Sequence, residues 1–353
     1  MTDLFCSRPF EHFEVQHNGK AYLCCPGWLP EPLGNVEQES PSNLWNGEAA
    51  QRIRRSILDG SFKYCTACPF LGTKRGPVKA AGDVTDPEHL AIIREQRVVM
   101  KRIAWLYLAY DRTCNLSCPS CRTHVIVATG EDLKRLSIFH DSLVTPRLLR
   151  SIDWLNITGS GDPFASSVFR SLLRSLDPVL YPRLRVELHT NGLLFTPENW
   201  EAMKRAQPMV KSVEVSVDAA TPATYAINRR GGEWNELLER LEFIQGLRRS
   251  GLLERFRMSF VVQANNWREM PAFVRLARSF DADTVLFTAL RDWRTFGDFQ
   301  YPFRAVHLAK HRDNAAFLNA LETEPDLHDA RVVMSDFTSA SQAVRREDSN
   351  ARW

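Results

Sequence analysis

Three cysteines crowd one short segment, Cys114, Cys118 and Cys121 in DRTCNLSCPSCR. Thiolates are soft donors that suit zinc and iron–sulfur clusters. Three of them on a single loop can bind three irons of a four-iron cubane, and the fourth iron is then left without a protein ligand. Metal catalysis needs such an open position, whereas structural sites tend to be fully ligated. A zinc knuckle built from the same three thiolates and His124 has compatible spacing.

Five further cysteines, Cys6, Cys24, Cys25, Cys65 and Cys68, bring the total to eight, all before residue 122. Scattered core thiols would not segregate in this way, so ligation is the better explanation. The first fifteen residues show no basic-then-apolar export pattern, and a reducing cytosol disfavours disulfides. Residues 1–99 are irregular: Pro26, Pro30, Pro32, Gly34 and Pro41 break one stretch, and Gly72, Gly76, Pro77 and Gly82 another. Only GEAAQRIRRSIL (47–58) has a helical pattern. A small loop-rich module that depends on a metal is expected here.

The whole chain bounds the function. Its 353 residues carry a net charge of +3, with 25% charged and 44% hydrophobic residues. No Lys/Arg block suits nucleic acid, and no apolar run approaches the roughly 20 residues of a membrane span. The expectation is a soluble cytoplasmic protein with no nucleic-acid or membrane partner.

After residue 100 six apolar, β-prone runs alternate with helical segments: 103–110, 154–158, 184–190, 212–218, 257–263 and 284–290. That alternation predicts parallel βαβ units with right-handed crossovers. Six units are too few for a closed eight-stranded barrel, so the expected fold is α/β, a partial (β/α)6 TIM-like barrel over 100–295. A doubly wound open sheet is the alternative. Residues 296–353 form an extension with one helix over 313–324 and a polar, disordered end. The cysteine loop directly follows the first of the six strands. TGSGDPF (158–164) follows the second, HTNG (189–192) the third, and SVDAATPATYAINRRGGEW (216–234) spans the end of the fourth. Tyr107, Glu187, His189 and Tyr225 are polar, and which face they take depends on register.

These motifs, in this order, resemble the radical S-adenosylmethionine (SAM) superfamily. The resemblance implies a [4Fe–4S] cluster on Cys114, Cys118 and Cys121 whose open iron takes the amino and carboxylate groups of SAM. It implies reductive cleavage of SAM to a 5′-deoxyadenosyl radical that attacks an unactivated C–H bond. Gly159, Gly161 and Asp162, the last in place of the usual Glu, correspond to the segment that holds the SAM ammonium. Asn191 lies in the HTNG segment. Ser216 and Asp218 correspond to residues near the ribose, and Arg229 or Arg230 to a partner for the carboxylate. Gln263 and Arg291 are candidates by position. CSRPF, GKAYLCC and CTAC together resemble the SPASM or twitch module, which in most relatives follows the barrel. By that resemblance Cys6, Cys24, Cys65 and Cys68 hold an auxiliary [4Fe–4S] cluster, with Cys25 an alternative to Cys24; a four-thiolate zinc site is the competing reading. The implied partners are a peptide or small-molecule substrate, such as a sugar or aminocyclitol, and an electron donor such as flavodoxin or ferredoxin. A metal-binding electron carrier is the non-enzyme alternative, though it needs no SAM pocket. Anaerobically reconstituted protein should therefore contain about eight irons, from two four-iron clusters. One zinc with only about four irons would instead assign the N-terminal cysteines to a structural site.

Overall fold

The computed structural model describes residues 4–65, 68, 70–71, 77–296, 299–334 and 337. The chain divides into two compact units. One comprises Met1–Asp111, Thr129–Thr158 and Pro178–Arg185; the other Arg112–Ala128, Gly159–Asp177 and Val186–Trp353.

The first unit contains β1 (Leu4–Cys6), β2 (His12–Gln16), β3 (Lys20–Tyr22), β4 (Gly34–Asn35), β5 (Val78–Ala80), β6 (Trp105–Ala109) and β7 (Trp154–Ile157). β1 and β5 pair antiparallel, with Cys6 opposite Val78. The other five follow the order β7-β6-β2-β3-β4. β6 is parallel to both β7 and β2, and a hairpin joins β2 to β3. Its turn requires Gly19, at φ +74°, where a Cβ would lie 2.4 Å from Asn35 Oδ1. Alternation gives these strands two different faces. Phe13, Val15, Leu106, Leu108, Leu155 and Ile157 are fully buried on one. His12, Glu14, Tyr107 and Asn156 lie on the other.

The helix expected over 47–58 runs Glu48–Leu58 and buries Ile53 and Ile57. Arg54 is buried completely beside them. Its guanidinium donates to Pro9 O at 2.8 Å, Val98 O at 2.8 Å and Asn46 Oδ1 at 3.1 Å, and lies 4.2 Å from the centre of the Trp45 ring. Burial pushes its pKa down to about 9, which leaves it charged at neutral pH. Arg54 thus joins three separated parts of the N-terminal region.

In the second unit β8 (Arg185–Thr190), β9 (Val210–Ser216), β10 (Arg255–Val262), β11 (Thr284–Ala289) and β12 (Val332–Met334) follow the order β12-β11-β10-β9-β8. All neighbours are parallel. Helices Trp234–Arg249 and Met270–Ser279 connect them as expected. The helix at 313–324 is present as Asn314–Thr323.

The fold is therefore α/β with extensive parallel pairing and a cysteine-rich N-terminal region, and the described residues form no closed barrel. Strand pairing joins the cysteine-rich N-terminal region to the sheet, because β2 hydrogen-bonds to β6 along its whole length. The boundaries expected at 99/100 and 295/296 are crossed by strand pairing, since β12 extends the sheet beyond β11. The crossover between β6 and β7 holds two helices, Gly130–Leu143 and Pro146–Ser151. The polar end from 338 onward lies outside the described residues. Among those residues no helix is long and apolar enough to cross a membrane.

Replacing Arg54 with Met should cost about 3 kcal/mol, because the carbonyls it bonds are left buried without a donor. Urea unfolding followed by tryptophan fluorescence reads this, and an unchanged midpoint would show that Arg54 joins nothing that matters.

Candidate metal centre

The three cysteines of the loop lie within the second unit, and each sulfur accepts a hydrogen bond. Cys114 accepts from the Leu116 N–H at 3.5 Å and from Asn191 Nδ2 at 3.6 Å. Cys118 accepts from Arg229 Nη1 at 3.7 Å, and Cys121 from Arg122 Nη2 at 3.4 Å. The backbone folds tightly here: the N–H groups of Cys121 and Arg122 both donate to the Cys118 carbonyl at 2.9 Å. Burial pushes the Cys114 thiol up to about 11, with Asp162 adding to it. Burial also raises Cys118, against the pull of Arg229. Ligation must therefore displace protons from these thiols. No group of three or more His, Cys, Asp or Glu among the described residues closes around a single metal ion. The thiols of a cubane bind different irons and stand farther apart than ligands of one ion. Donors already aimed at all three sulfurs, two of them guanidiniums, fit thiolates carrying a cluster.

Asp162 fixes the loops around these cysteines. It is fully buried. One carboxylate oxygen accepts from Thr190 Oγ1 at 2.6 Å and the Asn191 N–H at 2.9 Å; the other accepts from the Phe164 N–H at 3.0 Å. Its own N–H donates to the Thr113 carbonyl at 2.8 Å. The side chain expected to face SAM is thus turned inward, and it ties GSGDPF to HTNG and to the residue before Cys114. Asn191, so placed, reaches Cys114 and also donates to Asn115 Oδ1 at 2.8 Å. Gly159 is exposed and Gly161 half-buried.

Asp218 is the second buried carboxylate. It sits at φ +58°, accepts from the Val261 N–H at 2.7 Å, and faces Arg229 Nη2 at 2.9 Å in an ion-pair contact without hydrogen-bond angles. Arg229 Nε is buried with no partner. Arg230 lies outside, with Nε donating to Ser117 Oγ at 3.0 Å and Nη2 to the Thr123 carbonyl at 2.9 Å. Arg229 and Arg230 therefore both brace the cluster loop. Ser216 bonds His189 Nε2 at 2.9 Å and Ser259 Oγ at 3.1 Å. Gln263 is buried, and its N–H donates to Asn266 Oδ1 at 2.6 Å. Tyr225 is buried against the Trp234 ring.

The profile described as the Radical SAM superfamily matches residues 111–277, and SPASM, described as an iron-sulfur cluster-binding domain, matches 6–69. Residues 111–277 are a radical SAM domain. GTP 3′,8-cyclase of Peptoclostridium acidaminophilum is 28% identical over 203 residues, 55% of this chain and 58% of its own. The same-named protein of Alkaliphilus oremlandii is 27% identical over 150 residues, 39% of this chain and 42% of its own. This chain therefore spans about half the length of the curated relatives it matches. Streptococcus suis SuiB bound to S-adenosylmethionine aligns with a TM-score of 0.43 at 12% identity, over 94% of this chain and 71% of that one. A radical SAM domain implies SAM and a [4Fe–4S] cluster, and a SPASM domain implies auxiliary iron–sulfur clusters.

The SPASM cysteines share one electrostatic environment in the first unit. Cys6 is pushed up to about 12 by burial, with Cys68 and Cys65 contributing. Burial, then Cys6, Cys25 and Cys68, raise Cys24 well above the usual thiol range. Burial and Cys68 push Cys65 up to about 12. β1 carries Cys6 and β3 ends just before Cys24, which is how distant positions come together.

Sequence reasoning missed Arg122. It is buried, and its guanidinium donates to the Arg112 carbonyl at 2.6 Å, to the Ser160 carbonyl and to Cys121. Burial opposes its charge, but Cys121, Cys114 and Cys118 outweigh that and raise its pKa. Its place directly after the last cysteine was the only signal. Also missed were Asn228 and Asn266, whose Nδ2 groups donate to the Asp218 carbonyl at 2.9 and 3.0 Å. Arg122→Gln should retain its iron but shift the reduction midpoint of the loop's cluster to more negative values, because a cation beside the thiolates is lost. An electron paramagnetic resonance redox titration reads this, and an unmoved midpoint would limit Arg122 to holding the backbone.

Proposed function

We propose that this chain cleaves SAM reductively at a cluster on Cys114, Cys118 and Cys121 and uses the resulting radical on an unactivated C–H bond. The observation that carries the reading is the loop itself: three thiols, each with its own donor, and no fourth cysteine within it. When bound, the cluster supplies one electron that breaks the sulfonium C–S bond, giving methionine and a 5′-deoxyadenosyl radical. That radical takes a hydrogen atom from the substrate and becomes 5′-deoxyadenosine. The chain's part is to hold the thiols, neutralise them through Arg122 and Arg229, and position the loops through Asp162 and Asp218. Gly159, Gly161, Ser216 and Gln263 are the remaining SAM-side candidates. An auxiliary cluster on Cys6, Cys24, Cys65 and Cys68 would accept the electron left on the substrate when the outcome is oxidative.

The substrate of the first reading is a peptide or protein side chain. A polar small molecule is the second, and a specific observation favours it. One face of β8–β10 carries Glu214, held by Arg257 Nη1 at 2.9 Å and His189 Nε2 at 3.5 Å, with Ser216 and Ser259 alongside. Burial works to raise the Glu214 pKa, but His189 and Arg257 lower it, so it is ionised. Such a wall suits a ligand rich in hydrogen-bonding groups. The curated relatives are named for chemistry on a nucleotide.

Replacing Cys114, Cys118 and Cys121 together with alanine should abolish 5′-deoxyadenosine formation under anaerobic, reducing conditions. Chromatographic assay of the products reads it, and formation at the parent rate would end this proposal.

A further inference from the structure

A second polar cluster lies wholly within the first unit, on the face of β7-β6-β2-β3 opposite the apolar one. Register places four side chains in one row across four adjacent strands: Asn156, Tyr107, Glu14 and Tyr22. Residues in register share a face. Beside the row, His12 shares its strand's face with Glu14, and its ring lies 5.6 Å from that of Tyr107. Glu14, Asn156, His12 and Tyr22 are each more than nine-tenths buried, while Tyr107 is only half-buried. The row is thus largely withdrawn from water but open at one point.

The hydrogen-bond accounting of this row is incomplete in one direction. Glu14 accepts from Gln16 and contacts His12 Nε2 at 3.2 Å. On its far side His12 Nδ1 faces Arg8 Nη1 at 3.2 Å, which makes Nδ1 the acceptor and Nε2 the donor to Glu14. Burial lowers the His12 pKa, so this neutral form is the one held. A carboxylate has about four acceptor positions, and these contacts use two of them. Asn156 Oδ1 is buried with no partner at all. A buried carbonyl oxygen without a donor costs roughly 1–3 kcal/mol, and such an atom asks for an explanation. At Asn156 Oδ1 the row lacks a donor.

We infer that the Asn156–Tyr107–Glu14–Tyr22 row binds a small ligand that presents hydrogen-bond donors, namely hydroxyl or ammonium groups. The ligand donates to Asn156 Oδ1 and to the remaining acceptor positions of Glu14, and the Tyr22 and Tyr107 rings supply flat apolar surface beside it. The inference stands without radical chemistry, since it concerns binding and not turnover. It also gives the N-terminal region a role separate from its cysteines, because β2 and β3 bring Glu14 and Tyr22 to the row.

Saturation-transfer difference NMR on the full reconstituted chain, without SAM, tests it with two probes, D-glucosamine and D-glucose. Transfer to glucosamine should be strong in the parent and fall at least fivefold in Glu14→Gln and in Asn156→Leu. Transfer to both sugars identifies hydroxyl donors as sufficient; transfer to glucosamine alone identifies the ammonium. Thermal melting separates a ligand site from a structural one. Asn156→Leu removes an unpaired oxygen, so it should melt no lower than the parent while losing the probe. No transfer to either sugar, undiminished transfer in both variants, or a clearly lower melting point for Asn156→Leu would each overturn the inference. Because no step is catalytic, failure here leaves SAM cleavage untouched, and failure of SAM cleavage leaves this test intact.

Discussion

The buried carboxylate of Asp162 is the constraint on which the candidate centre depends. A carboxylate sealed from water is tolerable only when its lone pairs are taken. Here the donors are Thr190, Asn191 and Phe164, drawn from two different loops. Satisfying one charge therefore fixes two turns, and the Asp162 N–H fixes a third point at Thr113. Asn191 then has a defined approach to Cys114, and Cys114 anchors a loop too short to place its three sulfurs unaided. Asp218 repeats the arrangement on the other side through Val261 and Arg229, and Arg229 reaches Cys118. Two buried acids thus position the loop that carries the metal chemistry.

The strands divide their labour by face. In each unit one face is apolar, with Phe13, Leu106 and Leu155 in the first and Val213, Phe256, Phe260 and Phe287 in the second all fully buried. The opposite face is polar. Packing stability and chemistry are thereby assigned to alternate residues of the same strands, so either can change with little effect on the other. The N-terminal region follows the same rule: Phe13 packs edge-on against Trp45 while its neighbours His12 and Glu14 face the other way.

The sequence made the six core strands legible because each is a long β-prone run between helical segments. The cysteine loop was legible from spacing and from its place after a strand. β2 and β12 were not: His12–Gln16 mixes polar and apolar residues at an N-terminus full of turn signals, and Val332–Met334 is three residues long. Both form because a neighbouring strand offers unpaired backbone groups, which is tertiary information. For the site, the sequence offered residue types and motifs, but what each side chain holds was not readable. Asp162 and Arg230 stand in motifs that suggest ligand contact, yet one holds backbone turns and the other Ser117 and Thr123. Arg122 carried no motif beyond adjacency, so its three-way contact emerged only from the folded loop. Glu14 and Asn156 lie far apart in sequence, and only the parallel pairing of β2, β6 and β7 puts them in one row.

The central claim is that the loop at Cys114–Cys121 holds a cubane with one iron open to SAM. Pulsed electron paramagnetic resonance of the reduced protein, with SAM labelled with nitrogen-15 at its amino group, tests this directly. The account predicts a nitrogen-15 hyperfine coupling that is present with SAM and absent when Cys114, Cys118 and Cys121 are alanine. A cluster spectrum that SAM leaves unchanged, with no such coupling, would contradict it.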